Sequence, residues 1–276
     1  MTVDRTSARS VLEAAARAGL ARLDARLLLE HVTGWTREQL LAHPDWQVGA
    51  VDARTFEALV QRRAAAEPMA YVLGEREFYG RTFKVDRRAL IPRPETELLV
   101  ELGCAAASRF ASPTVVEVGT GCGAVAISLA LETGGPVVAT DVSRDALALA
   151  RENACAFGAR VRWVQADLLR GLRGPIHVLL ANLPYVPTQR ELPRDVKDYE
   201  PHVALFGGSR GTELIERLLH EARGSLAQAG ELCVELDEEE QAQPVAALAR
   251  QLYPGADISI ERDAGGYDRV VRVHLL

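Results

Sequence analysis

The sequence predicts an α/β protein, in which a small N-terminal helical domain precedes a Rossmann-like, seven-stranded sheet with an antiparallel last strand. Two patterns predict this fold class. Apolar residues at positions 1–70 recur only at helical spacing, whereas from about position 112 strand-like apolar runs alternate with helical stretches, which is typical of a doubly wound parallel sheet. The AGGY connection at 264–267 is too short for a crossover helix, so the last two strands should be antiparallel.

Composition narrows the possible functions. The chain has 276 residues, of which 48% are hydrophobic and 25% charged, as in a soluble globular protein with one large or two ordinary domains. Its net charge of −6 argues against a nucleic-acid partner, because nucleic-acid binders usually carry a basic excess. The N-terminal residues lack an apolar segment, and no apolar run approaches the roughly 18 residues of a membrane span. We therefore expect no signal peptide and no membrane partner.

The cysteines and histidines predict no metal site. Four cysteines are scattered without a C-x-x-C pair, which is typical of reduced thiols in a cytoplasmic protein. Six histidines show no H-E-x-x-H or comparable metal-ligand spacing. We therefore expect a cytoplasmic location and no bound metal.

The first 70 residues are predicted to form helices only. The TREQ segment at 36–39 fits a capping box at the start of one helix, and Asp52 opens a further periodic stretch that runs to Ala66. Pro68 should end this domain. Residues 71–92 are predicted to form a β-hairpin linker, because aromatic and β-branched residues flank Gly80-Arg81.

The second domain, residues 93–276, should contain the sheet. The acidic residues of the ETE segment at 95–97 are expected to open its first helix, where negative charge is favourable. Strands are predicted at 114–118, 137–140, 161–164, 177–180, 232–235, 257–260 and 270–273. Helices are predicted around 122–133, 144–156, 211–227 and 240–252. In the expected strand order, the fourth strand lies beside the first.

Polar residues stand at the carboxyl ends of the first four predicted strands, which should meet at one crevice of the sheet. The first strand ends in a glycine-rich turn, and glycine allows both a tight turn and the close approach of a ligand. The residues predicted to bind a cofactor at these strand ends are Glu117, Gly119, Thr120, Gly121, Cys122, Gly123, Asp141, Asp167, Leu168 and Asn182.

Two cofactors fit the glycine-rich turn. The G-x-G-x-x-A spacing at 119–124 satisfies a relaxed dinucleotide fingerprint with Asp141 as a ribose ligand, so a nicotinamide-dependent oxidoreductase is one alternative. Glu117 favours S-adenosylmethionine (SAM), because a carboxylate attracts the cationic amino-acid end of a sulfonium cofactor and would repel a pyrophosphate. Asp167 can accept a hydrogen bond from an adenine amino group. The competing structural interpretation is that Asp141 and Asp167 only cap turns.

The fourth strand, with the apolar run IHVLLA at 176–181, is followed by Asn182-Leu183-Pro184-Tyr185, which we call the amide clamp. The Asn oxygen and a nearby backbone carbonyl can accept both hydrogens of an –NH2 group, and the Tyr ring can cover the flat face of an amide or a base. We therefore predict that all four residues are catalytic and bind the substrate, by orienting a planar and poorly nucleophilic nitrogen for methylation. The alternative is a strand end followed by an ordinary turn proline.

Longer segments resemble the HemK/PrmC family, the glutamine-N5 methyltransferases that modify peptide-chain release factors. These segments are YVLGEREFYGRTFKV (71–85), LIPRPETELLVE (90–101), EVGTGCGAVAISLA (117–130), ATD (139–141), NLPYVP (182–187), EPHVALFGGSRG (200–211) and RDAGGYDRVV (262–271). The resemblance implies a SAM-dependent protein-(glutamine-N5) methyltransferase that releases S-adenosylhomocysteine. It implies that the domain at 1–70 helps to hold the release factor, that the domain at 93–276 binds SAM, and that the acceptor is the glutamine of a Gly-Gly-Gln loop. Arg93 would help to shape the substrate entrance.

Position 183 departs from the family pattern, which is usually Asn-Pro-Pro-Tyr. Leu183 keeps the backbone carbonyl but loses the fixed φ of proline. Asn-Leu-Pro-Tyr is also similar to the corresponding segment of ribosomal-RNA adenine dimethyltransferases. Two alternative acceptors therefore stay open. One is another protein, a peptide or a small molecule methylated by a HemK-like enzyme, and the other is the adenine N6 of RNA or DNA.

Overall fold

The structure is a computed structural model that describes residues 6–237 and 239–276. The helices of these residues, α1 to α11 in chain order, span Ala8–Arg17, Arg22–Thr33, Arg37–Ala42, Ala50–Ala64, Met69–Leu73, Glu97–Ala107, Ala124–Thr133, Arg144–Phe157, Arg194–Lys197, Glu213–Ala222 and Glu239–Leu252. The strands, β1 to β13, span Thr6–Ser7, Gln47–Val48, Glu75–Phe78, Arg81–Lys84, Val115–Val118, Val137–Asp141, Val161–Gln165, Ile176–Ala181, Val186–Pro187, Phe206–Gly208, Leu226–Glu235, Asp257–Arg262 and Asp268–His274. Short 3-10 turns lie at Pro94–Thr96 and His202–Ala204.

The chain divides into two compact units. The first contains the residues up to Gly74 together with Pro193–Tyr199, and the second contains Glu75–Leu192 and Glu200–Leu276. Within the described residues, no helix is both long enough and apolar enough to cross a membrane.

The first unit is a helical bundle around the fully buried Leu28 and Leu29 of α2. The predicted capping box is confirmed, because the Thr36 hydroxyl accepts from the Gln39 backbone N–H and the Gln39 side chain accepts from the Thr36 N–H. The expectation of helices only is wrong for β1 and β2, which pair antiparallel. Ser7 caps α1 with an extended backbone, and the extended residues Thr6 and Ser7 pair with the strand that contains the buried Val48.

The predicted hairpin is confirmed at β3 and β4, which pair around Tyr79 and Gly80. Both turn residues have positive φ, as a two-residue hairpin turn of type I′ requires. The prediction is wrong for residues 71–73, which belong to α5. Pro68 does not end the helical region but precedes this extra helical turn, since its fixed φ suits a helix start, and Gly74 closes the turn in the left-handed conformation.

The second unit contains the predicted seven-stranded sheet, with strand order β12-β13-β11-β8-β5-β6-β7. Strands β11, β8, β5, β6 and β7 are parallel, whereas β13, the last strand, is antiparallel to both neighbours. The short loop before β13 leaves no other arrangement. Because β8 lies beside β5, the strand order reverses between them, and ligands of open α/β sheets bind in the crevice at such a point.

Two predicted boundaries differ from the structure by five residues or more. The helix predicted at 211–227 ends at Ala222, and the strand predicted at 232–235 already begins at Leu226. The reason is tertiary pairing, since Leu226 lies opposite Ile176 in the neighbouring strand β8. Helical periodicity cannot reveal this pairing, because it reports only on local spacing.

Candidate active site

A cavity of about 370 Å³ lies at the carboxyl ends of β5, β6 and β8. Most of the residues predicted to bind cofactor or substrate line it. They are Arg93, Glu117, Gly119, Thr120, Gly121, Cys122, Asp141, Asp167, Leu168, Asn182, Leu183 and Pro184. The parallel strands thus bring together side chains from four separate sequence segments, as the polar strand ends predicted.

Two predicted residues, Gly123 and Tyr185, do not line the cavity. A Cβ on Gly123 would lie 3.0–3.1 Å from side chains of the core, including Trp163, so this glycine allows α7 to pack closely. Tyr185 is partly buried against the sheet core, and this burial raises the pKa of its hydroxyl. The roles predicted for both residues in binding stay predictions.

The glycine-rich turn lines the cavity and is hydrogen-bonded to the neighbouring strand β6. Gly119 and Gly121 have positive φ, and the Gly119 and Thr120 N–H groups both donate to the carbonyl of Thr140 at 2.9 Å. A Cβ on Gly119 would lie 3.0 Å from a methyl group of Leu183, whereas one on Gly121 would meet only Ala89, at 3.9 Å. The turn is therefore open toward the cavity at Gly121 and is held in place at its start.

Glu117 fastens this turn to the start of α7. Its Oε2 atom accepts from the Thr120 hydroxyl at 2.5 Å and from the Ala126 N–H at 3.0 Å. Burial raises the pKa of Glu117 to about 7, although the two hydrogen bonds oppose this rise. Glu117 thus has a structural role in addition to the predicted contact with a cationic ligand, which stays a prediction.

Asp141 and Asp167 differ in their surroundings. Asp141 is buried, and its two carboxylate oxygens accept from the backbone N–H groups of Gly121 at 2.9 Å and Ser143 at 2.8 Å. Burial raises the pKa of Asp141, against the effect of these bonds. Asp167 is exposed at the rim and pairs with Arg217 at 2.8 Å. Asp141 therefore does cap the turn, as the structural interpretation predicted. Each of its oxygens accepts one backbone N–H and keeps a second lone pair for a ligand.

Thr96 and Glu235 hold Asn182 in place, and neither residue was predicted from the sequence. The Asn182 Nδ2 atom donates to the Thr96 hydroxyl at 3.0 Å and to Glu235 Oε1 at 2.9 Å. The Thr96 hydroxyl in turn donates to Glu235 Oε1 at 3.1 Å. Glu235 ends the buried strand β11 as Asn182 follows β8, so the strand-end criterion could have found it. Thr96 carries no comparable signal.

Leu183 replaces a proline of the family pattern without opening a gap. Its side chain is buried in the sheet core and contacts the glycine-rich turn. Among the residues that the structure describes, none donates a hydrogen bond to the Leu183 carbonyl. The acceptor that the amide clamp requires at this position is therefore present and available.

The segment 200–211 packs closely against the backbone of the amide clamp. A Cβ on Gly207 would overlap the carbonyl oxygen of Pro184, and one on Gly211 would overlap that of Tyr185. The first residue of the segment, Glu200, is buried and binds Arg93 at 2.6 Å. Glu200 thereby fixes the predicted entrance residue Arg93 at the cavity wall.

The site combines a glycine-rich turn, buried carboxylates and an amide oriented by two partners. Such a site can hold a ligand that has a cationic group and ribose hydroxyls, and it can place an –NH2 group beside that ligand.

Comparisons with known proteins agree with these features. Residues 5–74 match the model of the PrmC N-terminal domain, and residues 115–189 match a methyltransferase domain. A release factor glutamine methyltransferase of Deinococcus radiodurans is 40% identical over 261 residues, which cover 93% of this chain and 92% of the relative. The enzyme of the same name from Chlorobaculum tepidum is 38% identical and covers 90% of this chain and 88% of the relative.

A solved structure supports the fold. A methyltransferase from Pyrococcus furiosus has a TM-score of 0.53 at 19% identity, with coverage of 79% of this chain and 96% of that chain. The fold is thus that of a Rossmann-like methyltransferase, and the helical domain and the near full-length similarity narrow the assignment further. This chain belongs to the family of release factor glutamine methyltransferases.

Proposed function

We propose that this protein transfers a methyl group from SAM to the side-chain amide nitrogen (N5) of the glutamine in the Gly-Gly-Gln loop of peptide-chain release factors. Family membership supports the reaction. The single observation that carries it is the fixed amide of Asn182, whose two N–H groups are occupied by Thr96 and Glu235. Its oxygen is then the atom left to accept from a substrate.

The cavity suits SAM, which supplies an electrophilic methyl group when bound. The glycine-rich turn at 119–122 would offer backbone close to the ligand, and Glu117 would face its cationic amino-acid end. Asp141 would accept from the ribose hydroxyls, and Asp167 or Leu168 would contact the adenine. The transfer would break the S–CH3 bond of SAM, form an N–CH3 bond and release one N–H proton of the substrate amide to water. No acid is needed at this site, because the thioether that leaves is neutral.

The contribution of the protein to the chemical step is orientation. The Asn182 oxygen and the Leu183 carbonyl would each accept one hydrogen of the substrate –NH2 group. The ring of Tyr185 would cover the flat face of the substrate amide. Two acceptors raise the electron density on nitrogen as positive charge develops there, so their effect is greatest in the transition state. Holding the nitrogen at attack distance contributes about 7–11 kcal/mol in well-oriented systems.

The amide clamp alone does not select glutamine, because asparagine and adenine also present a planar –NH2 group. We attribute selection to the entrance near Arg93 and to docking of the release factor by the helical domain at 1–70. The net charge of −6 favours a protein partner over naked RNA, which basic surfaces bind through counterion release. A translation factor as substrate places the reaction in the cytoplasm.

The test is transfer of labelled methyl from SAM to release factors, followed by peptide mapping. We expect label on the glutamine of the Gly-Gly-Gln loop, no label on a release factor in which this glutamine is replaced by alanine, and none on free glutamine. The Asn182→Ala variant should keep its fold and much of its SAM binding and should lose transfer. Label on ribosomal RNA or on a metabolite, with none on release factors, would overturn the proposal.

A further inference from the structure

Asn182 of the amide clamp forms hydrogen bonds with two polar side chains from distant parts of the chain. Thr96 ends a 3-10 turn, Asn182 follows β8 and Glu235 ends β11. Their three mutual hydrogen bonds, of 2.9–3.1 Å, form a closed triangle. Thr96 and Glu235 are buried, and Asn182 and Thr96 line the cavity.

We propose that Glu235, together with Thr96, is a positioning residue for the methyl transfer, which fixes the Asn182 amide with its oxygen toward the cavity. The inference rests on the proposed function for its consequence in catalysis. Its geometric part, the restraint on the amide, stands on the triangle alone.

The restraint follows from the chemistry of the amide. An Asn side chain presents an oxygen on one side and an –NH2 group on the other, and rotation by half a turn exchanges them. In the rotated state the Asn182 oxygen would face Glu235 Oε1, which is an acceptor, and the bonds from Nδ2 would be lost. The –NH2 group would then face the substrate –NH2, and two donors cannot bond to each other. Glu235 therefore selects the productive orientation.

The surroundings of Glu235 allow this role over a wide range of pH. Its Oε2 atom is buried and has no hydrogen-bond partner among the described residues, so a proton can reside there while Oε1 continues to accept. The pKa of Glu235 is raised to about 8, mainly by burial and in part by the nearby charges of Glu95 and Asp237, while Thr96 and Arg269 oppose this rise. Either protonation state leaves Oε1 free to hold the Asn182 amide.

Kinetics with a release factor provides the first test. We expect Glu235→Ala to lower kcat by about tenfold to a hundredfold, as for the loss of one orienting hydrogen bond, with SAM affinity within about twofold of wild type. Glu235→Gln retains an acceptor oxygen and should recover most of kcat. Thr96→Val should lower kcat, and Thr96→Ser should recover it. Equal losses in the Ala and Gln variants of Glu235 would overturn the acceptor role.

Glu231→Gln is the matched control. Glu231 is also buried on β11 but lies four residues before Glu235 and binds Arg109 and Arg272. We expect this variant to lose stability and to keep kcat. A decrease of kcat like that of Glu235→Ala would show that any buried charge change on β11 slows the reaction, and would overturn the specific role of Glu235.

A second readout does not depend on activity. In nuclear magnetic resonance spectra, the side-chain amide protons of Asn182, identified by their loss in Asn182→Ala, should exchange slowly with solvent in the wild type. In Glu235→Ala they should exchange at least about tenfold faster, because one hydrogen-bond acceptor is gone. Unchanged exchange would overturn the inference even if the enzyme is active. If release factors stay unlabelled by wild type, the proposed function fails, and this measurement still decides the role of Glu235.

Discussion

Gly207 and Gly211 show how single residues shape the site from outside it. Neither lines the cavity, yet each touches a backbone carbonyl of the amide clamp so closely that a methyl group would not fit. The backbone position of the amide clamp therefore depends on the absence of side chains at these two positions. This close packing explains physically why the segment at 200–211 has glycine there.

We expect Gly207→Ala to destabilise the protein by about 1–3 kcal/mol and to lower methyl transfer, because the added Cβ overlaps the Pro184 carbonyl. The measurements are urea unfolding and initial rates. Gly224→Ala is the control, since a Cβ on Gly224 meets nothing within 4 Å, and its stability should change by less than about 0.5 kcal/mol. Equal effects of the two substitutions would contradict the proposed packing.

Asp141 is expected to provide much of the affinity for SAM. Asp141→Ala should weaken SAM binding by about 1.5–3 kcal/mol, the usual effect of losing hydrogen bonds to a charged group. Calorimetry on the folded variant measures it. Asp145→Ala is the control, because Asp145 is an exposed carboxylate in the first turn of α8, the helix that follows Asp141 in the chain, and its loss should leave SAM affinity unchanged. An unchanged affinity in Asp141→Ala would remove this residue from the site.

At the scale of elements, the capping box of α3 links a local sequence signal to local stability. Thr36 is exposed, so its replacement changes the cap without changing the core. Thr36→Ala should destabilise this end of the helix by about 1 kcal/mol, because the Gln39 N–H loses its acceptor. Hydrogen exchange of the α3 amides should accelerate accordingly.

The control for this cap is Thr55→Ala. Thr55 is exposed in the interior of α4 and bonds only to the carbonyl one turn earlier. Alanine is the better helix former there, so the α4 amides should exchange at the same rate or more slowly. If both substitutions accelerate exchange equally, capping is not the reason for the effect of Thr36.

At the scale of the whole molecule, two buried carboxyl groups determine how stability depends on pH. The pKa of Glu117 is raised to about 7 and that of Glu235 to about 8, both mainly by burial. The folded state therefore binds these protons more tightly than the unfolded chain, whose carboxyl groups titrate near the ordinary value of 4.5. The associated stability is fully present below pH 4.5 and is lost as the pH rises through 7 and 8.

We therefore expect the urea-unfolding midpoint to fall between about pH 5 and pH 8, where most proteins change little. Glu235→Gln, which carries no titrating group, should flatten this decrease. Glu152→Gln is the control, because Glu152 lies at the surface with its pKa lowered to about 2 by Arg88 and Lys84, so it is already ionised throughout this range. The same slope in wild type and Glu235→Gln would contradict the raised pKa of Glu235.

The sequence by itself determined most of the elements and many of the residues that line the cavity. Alternating strand and helix patterns identified the sheet, the short loop at 264–267 made the last strand antiparallel, and glycines and acids at strand ends gave the residues that line the cavity. These features follow from local spacing and from chain order, which a linear sequence records directly.

The tertiary structure alone decided what holds the amide clamp. Thr96 and Glu235 are separated from Asn182 by 86 and 53 residues. Glu235 can reach Asn182 because β11 pairs with β8 in a register that places Val234 opposite Ala181. The same pairing set the start of β11, where helical periodicity was misleading. A contact between distant residues depends on strand order and register, and neither is written in the spacing of residues along the chain.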